Sequence, residues 1–335
     1  DPYSEFLDAD AYRMLSGDTE GLFGGIGVEI DVRDGWLTVV GVLPGGPSSR
    51  VGLRPGDRVA EIEGRYARDM RLSEAVRIVR GRPGTMVSLG IRRGTDASTV
   101  QVQLRREVVR VQSVRSVVLG EGLLYLRVRS FQRTTADEFR DAVNAASLEL
   151  GRPPAGVLLD LRGNSGGLLD QAVAIADQLL DQGLIVSTRG RSLQSRSEHR
   201  ASERATLGSW PVVVLVNAYS ASASEILAGA LQDHGRGVLV GRRTFGKGTV
   251  QSVLELPGDN ALKLTVARYY TPSGRSIHGQ GIQPDHVVEI QSGTPGPGKE
   301  NSPDPHGALD RSVIETDPVA REGLGILEEL VEGRR

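Results

Sequence analysis

Ala155-Gly156-Val157-Leu158-Leu159-Asp160-Leu161-Arg162-Gly163-Asn164-Ser165-Gly166-Gly167 is the stretch that decides the fold class. Its first seven residues are almost continuously apolar. They lack the alternation of a strand with one wet face and so predict a strand in a sheet covered on both sides. A glycine-rich turn follows, and Leu168–Leu180 then carries apolar residues at helical spacing. The same order recurs downstream: Pro211–Val216 reads as a second buried strand, and it leads through Asn217 to Ser220-Ala221-Ser222-Ala223-Ser224 and the apolar-periodic run Glu225–Leu231. Gly237–Gly241 continues the pattern. Upstream, Gly122–Val128 reads as a strand, and Thr134-Thr135-Ala136-Asp137-Glu138 opens a helix running towards Leu150. Residues 107–290 are therefore expected to form an α/β core. In such sheets, sites lie where strand ends meet helix starts, which singles out both the Gly163–Gly167 turn and the Ser220–Ser224 turn.

Before this core the texture is different. Residues 1–22 are polar and mixed, a lead-in with a short helix expected near Asp10–Leu15. Residues 23–106 show short alternating strands (Ile26–Val32, Trp36–Val42, Thr85–Arg92, Thr99–Leu104) punctuated by Gly and Pro turns, with a helix that Ser73 is placed to cap. After the core, Thr249–Leu256 and Ala261–Tyr270 alternate like a hairpin. Residues 291–307, rich in Pro and Gly, read as a flexible linker. The segment 308–335 closes the chain with an amphipathic helix expected from Asp317 to Leu330.

At 335 residues the chain is long for one core, and two domains are expected. The net charge of −2 gives no reason to expect nucleic acid as a partner. No apolar run reaches the roughly 18 residues needed to span a bilayer. With no cysteine, disulfides and thiolate chemistry are excluded, and the five histidines show no metal-ligand spacing. No cofactor is implied. The start at Asp1, without an initiator Met or signal peptide, reads as a mature or trimmed form.

Lysine occurs only at 247, 263 and 299, while arginine supplies every other positive charge. Lys247 lies between Gly246 and Gly248. Unlike arginine, lysine loses its proton when desolvated, so this one is a candidate base. Gly241-x-x-x-x-Gly246-Lys247 nearly spells a phosphate-binding loop, but position 248 is Gly instead of Ser or Thr, and a strand rather than a helix follows. Ser222 has two readings. Ser222-x-x-Glu225 fits a capping box, and a hydroxyl at a helix mouth also fits a nucleophile. No Ser-x-x-Lys pair is present.

Two resemblances add to this. Gly25-Ile26-Gly27-Val28, Pro44-Gly45-Gly46-Pro47-Ser48, Gly52-Leu53-Arg54-Pro55-Gly56-Asp57 and Arg80-Gly81-x-x-Gly84-Thr85 make residues 23–106 resemble a PDZ domain, a small β-sandwich with helices. That implies capture of an extended peptide at a sheet edge, its carboxylate on the loop containing Gly25, Ile26, Gly27 and Val28. Arg80 either faces that carboxylate or is simply an exposed arginine ending a helix. Asp160-Leu161-Arg162-Gly163-Asn164-x-Gly166-Gly167, Ser220 to Glu225, Thr244-Phe245-Gly246-Lys247-Gly248-x-x-Gln251 and Tyr270-Thr271-Pro272-x-Gly274 occur in that order. Together they resemble the carboxyl-terminal processing (tail-specific) serine peptidases.

That resemblance implies a crotonase-like α/β protease core beside the PDZ domain. It puts the nucleophile on Ser222, where Ser220 and Ser224 compete on sequence alone, the general base on Lys247 and a lysine-orienting amide on Gln251. Four residues on in a strand, Gln251 is expected on the face of Lys247, able to accept its hydrogen bond. Oxyanion donors are expected from Ala223 and from Gly166 or Gly167. The implied function is a serine endopeptidase that takes unfolded or extended protein C-terminal tails, outside the cytoplasm in a bacterial periplasm or cell envelope, with a homo-oligomer or regulatory partner left open. Two other readings stand beside it: a PDZ scaffold with a catalytically idle core, and an acyl-CoA enzyme on the related crotonase fold, which the PDZ module and the Lys247 turn disfavour.

Overall fold

The structure is a computed structural model that describes residues 1–94, 98–191, 196–202, 207–289 and 311–333. The chain divides into two compact units, Gly21–Val111 and the remainder, with Asp1–Glu20 belonging to the latter.

The larger unit is built on a six-stranded sheet in the order Val114–Val118, Leu123–Val128, Gly156–Asp160, Val212–Val216, Val238–Gly241, His286–Val287. The first strand is antiparallel to its neighbour and the others run parallel. Register explains why the central strands do not alternate. Leu126, Leu159, Val214 and Leu239 line up across four strands and join one buried cluster. Tyr125, Leu158 and Val213, one residue earlier on each strand, join a second buried cluster on the opposite face. Helices Thr135–Leu150, Leu169–Leu179 and Ala223–Asp233 supply residues to the first cluster, and Pro318–Glu332 to the second. Each fully buried Leu or Val contributes about 1.5–3 kcal/mol. Gly323 lets the last helix lie close: a Cβ there would come within 2.7 Å of Leu215 Cδ2.

A second, antiparallel sheet holds Glu5–Leu7, Leu184–Gly190, Arg196–Arg200 and the hairpin Thr249–Leu256 with Asn260–Tyr270. Two of its strands depart from expectation. Residues 5–7 of the lead-in pair with Ala261–Lys263, and the helix after them extends over Ala9–Glu20. Arg196–Arg200, in a stretch given no strand by the sequence, pairs with Leu184–Arg189. A three-residue strand has no readable period, and an edge strand made of Arg, Ser, Glu and His has no apolar alternation to detect. The expected linker 291–307 lies outside the described residues.

The smaller unit has a sheet ordered Val28–Arg33, Trp36–Val42, Arg58–Ile62, Met86–Arg92, Val100–Arg105, with Leu22–Gly25 paired separately to Glu107–Arg110. Leu37, Val59, Ile62, Leu89 and Leu104 fill its core together with Ala75 and Val79 of the helix Leu72–Val79. That helix starts one residue ahead of Ser73, with no side-chain cap at its N-terminus. Its C-terminus is capped instead by buried Arg106, whose guanidinium donates to the carbonyls of Ile78 and Val79 at 2.8 and 3.0 Å. Val28–Arg33 pairs only on one side among the described residues, leaving an open ladder edge.

Candidate active site

The strand Val212–Val216 ends at Asn217, and a tight turn delivers the chain to the helix Ala223–Asp233. Ser222 sits at the N-cap with φ 56° and ψ −115°. A side chain in this region costs about 1–3 kcal/mol and persists only where its surroundings enforce it. Asn164 is one enforcing group. Its carbonyl oxygen accepts the Ala221 N–H at 3.0 Å and the Ser224 hydroxyl at 2.8 Å, and its amide donates to the Val128 carbonyl at 2.9 Å. Gly166 is another, because a Cβ there would sit 2.7 Å from Ser222 Cβ. The geometry is that of a sharp, strained strand-to-helix turn, reached at Ser222 without glycines two residues to either side.

The three serines of the turn differ in environment. Ser220 is fully buried and donates to the Leu161 carbonyl at 2.8 Å. Ser224 is fully buried and spends its hydroxyl on Asn164. Ser222 is the one with partial exposure.

Glu225 is the hub of the site. It is fully buried, and its two oxygens accept four hydrogen bonds. Oε1 takes the Thr244 hydroxyl at 2.5 Å and the Gly246 N–H at 2.7 Å; Oε2 takes the Ser222 N–H at 2.9 Å and the Lys247 N–H at 2.8 Å. Burial pushes its pKa up, and the four donors oppose that rise. In sequence Glu225 is legible only as the third position of a capping box. Its tie to residues about twenty further on carries no local signal.

Lys247 is half-buried, and its ammonium lies 5.2 Å from the centroid of the Tyr3 ring. Among the described residues it has no carboxylate partner and no hydrogen bond to Ser222 or Gln251. Its pKa is lowered from the ordinary 10.5, first by burial and then by the charge of Lys263, with Glu5 opposing. Gln251 donates to Thr265 Oγ1 at 2.8 Å and to Thr249 Oγ1 at 3.2 Å, while its buried Oε1 has no partner. The expected contact between Lys247 and Gln251 is not made in this conformation. Lys247 precedes the strand Thr249–Leu256, and a register shift between Val250 and Gln251 breaks the alternation on which that expectation rested. His278 backs directly onto Gly248, where a Cβ would meet the His278 nitrogen at 2.3 Å. No spacing in the sequence pointed to that contact.

Of the oxyanion candidates, Gly166 donates its N–H to Asn164 Oδ1 at 2.9 Å. The N–H groups of Ala223 and Gly167 have no partner among the described residues. Gly167 has φ 140°, and a Cβ there would lie 2.2 Å from the Phe131 carbonyl oxygen, so only glycine fits.

In the smaller unit, the expected loop is largely strand: Phe23, Gly24 and Gly25 belong to the strand Leu22–Gly25, Val28 opens the strand Val28–Arg33, and Ile26 and Gly27 alone join the two. Gly24, Ile26 and Gly27 spend their carbonyls on the N–H groups of Gly81, Ser48 and Leu43 at 3.0, 3.0 and 2.9 Å. Arg80 ends the helix, and its guanidinium stacks 4.1 Å from the ring centroid of Phe23, in the strand Leu22–Gly25. Elsewhere in this unit, Asp57 of the Gly52–Asp57 motif is pushed up by burial, but the Arg93 guanidinium and the Arg54 N–H outweigh that and hold it low.

Comparison with known proteins agrees with both units. The Peptidase family S41 profile matches residues 122–288 and a PDZ domain profile matches residues 38–93. The chain is 39% identical to a carboxy-terminal-processing protease of Bartonella bacilliformis over 86% of this chain and 67% of that protein. It is 34% identical to the carboxy-terminal processing protease CtpA of Bacillus subtilis, over 87% of this chain and 61% of that one. The chain thus spans about two thirds or less of the length of these relatives. Among solved structures, a photosystem II D1 C-terminal processing protease aligns with a TM-score of 0.53 at 31% identity, covering 86% of this chain and 78% of that one. The chain belongs to peptidase family S41 and carries a PDZ domain.

Proposed function

We propose that this chain is a serine endopeptidase that captures protein C-terminal tails on its PDZ unit and cuts near them, with Ser222 as nucleophile, Lys247 as general base and Gln251 as the residue that positions the amine. The observation that carries this reading is the Glu225 carboxylate. One of its oxygens accepts both the Ser222 and the Lys247 N–H, at 2.9 and 2.8 Å, so the two residues start from neighbouring backbone. Neutral Lys247 takes the proton from Ser222 Oγ as that oxygen bonds to the scissile carbonyl carbon. The oxyanion is received by the N–H groups of Ala223 and Gly167, each worth roughly 3–4 kcal/mol of barrier. The lysine proton passes to the leaving amine, and water then hydrolyses the ester by the same route. The unpaired Gln251 Oε1 is the acceptor that holds the amine once it leaves the Tyr3 ring. We place the enzyme in the periplasm or cell envelope; a cysteine-free chain suits an oxidising compartment.

The test is cleavage of a peptide ending in a free carboxylate. Ser222→Ala and Lys247→Ala should each lower kcat by about a thousandfold or more while circular dichroism stays unchanged. Full activity in the Ser222 variant refutes the assignment. A wild-type chain that binds tails without cutting them is the idle scaffold instead.

A further inference from the structure

Trp36 opens the strand next to the open one, and three guanidiniums gather over its ring. Arg68 lies 4.8 Å from the ring centroid, Arg92 5.6 Å and Arg58 5.8 Å. Arg58 and Arg92 are direct register partners on neighbouring strands, an arrangement in which like charges repel. Three other arginines of this unit are matched with acids: Arg93 with Asp57, Arg65 with Glu74, Arg50 with Glu107. Among the described residues no carboxylate pairs with Arg58, Arg68 or Arg92; Arg92 donates only to the Thr99 hydroxyl. The indole gives the three cations a platform, but it neutralises none of them. The result is a positive surface with an aromatic centre, a chemistry that fits acidic side chains.

Its position points to one occupant. The open strand Val28–Arg33 ends at Arg33, the register partner of Trp36. A tail whose carboxylate sits at Gly25–Val28 must run antiparallel along this strand. At about 3.4 Å per residue, its residue five to seven before the terminus comes level with Arg33. That residue is then two strand spacings, about 10 Å, from the Trp36 backbone, within reach of the guanidiniums collected there. We infer that the Trp36–Arg58–Arg68–Arg92 patch reads acidic side chains in the substrate about five to seven residues upstream of its captured C-terminus. This rests on the tail-capture reading above and names the substrate class that reading leaves open.

The experiment uses the full chain carrying Ser222→Ala, so that nothing is cut. Fluorescent peptides share the last four residues and a free carboxylate, and carry either Glu-Asp-Glu or Gln-Asn-Gln at positions five to seven from the end. At about 50 mM salt the acidic peptide should bind about tenfold more tightly. That gain should shrink at about 300 mM salt. It should vanish in the double variant Arg58→Gln, Arg68→Gln, with binding of the neutral peptide unchanged. Equal binding of both peptides, or a preference that survives the double variant, overturns this inference and leaves tail capture standing. If neither peptide binds, both readings fall together. Binding of anionic lipid vesicles with no preference between the peptides overturns it in favour of a membrane surface.

Discussion

Two neighbours pull the Lys247 amine in opposite directions. Burial and the Lys263 charge favour the neutral form, and the Tyr3 ring favours the ammonium. In the proposed mechanism only the neutral amine accepts the Ser222 proton, so kcat/KM should rise with pH along a limb centred below the ordinary lysine value of 10.5. Lys263 is ion-paired to Glu5. Lys263→Gln removes a positive neighbour and frees the Glu5 charge, and both changes favour the ammonium, so the limb should move to higher pH. A pH profile of tail-peptide cleavage measures this, and a limb that stays in place contradicts Lys247 as the base. The glycine setting of Lys247 was legible in the sequence because lysine is so rare in this chain. The choice among Ser220, Ser222 and Ser224 was not, because it depends on hydrogen bonds to Leu161 and Asn164, about sixty residues away in sequence.

At the scale of elements, the site is two turns held by one carboxylate, and the parallel sheet sets where those turns lie. Glu225→Gln replaces one acceptor oxygen by an NH2 group, which cannot accept from either set of N–H donors. We expect kcat to fall about 10- to 100-fold with KM nearly unchanged. A matching rise in KM at constant kcat would argue against a role in aligning Ser222 and Lys247. The turn before the helix Leu169–Leu179 is braced from the other end of the chain. Buried Arg162 bonds Asp160 at 2.8 Å and Asp317 at 2.8 Å, and Tyr125 donates to Asp160 at 2.5 Å. Asp317 also caps the final helix through the Ala320 N–H. Asp317→Ala leaves a buried guanidinium half-paired and removes the cap, which should cost about 3–5 kcal/mol in urea unfolding. A loss under 1 kcal/mol would mean water already reaches Arg162. The central strands were readable because burial on both faces leaves continuous apolar runs. This brace was not, since Arg162 and Asp317 are brought together only by packing. The Lys247–Gln251 alternation failed for a related reason: a bulge is a property of the paired strand.

At the scale of the whole molecule, the PDZ unit is an insertion. The chain leaves the peptidase unit after Glu20 and returns at Gln112, so whatever the inserted unit binds is connected to the core at both ends. The return leads into Val114–Val118, the edge strand of the six-stranded sheet, and the departure follows the helix whose Glu20 pairs with Arg133. Lys247 rests on Tyr3, and Tyr3 stands on the same lead-in, in front of the strand Glu5–Leu7 that joins the hairpin Thr249–Leu256 with Asn260–Tyr270. This connectivity offers a physical route by which tail capture could change where the amine rests. If it does, the free carboxylate should act on more than affinity. Comparing one peptide as a free acid and as a C-terminal amide, we expect amidation to raise KM because the loop N–H groups lose their anion. We also expect kcat at saturation to fall several-fold, because an uncaptured tail leaves Lys247 on Tyr3. Tyr3→Ala should recover part of the amide's kcat by removing the resting place. Equal rates for the two peptides would exclude tail capture. A change in KM alone would keep capture while discarding any influence on the catalytic amine.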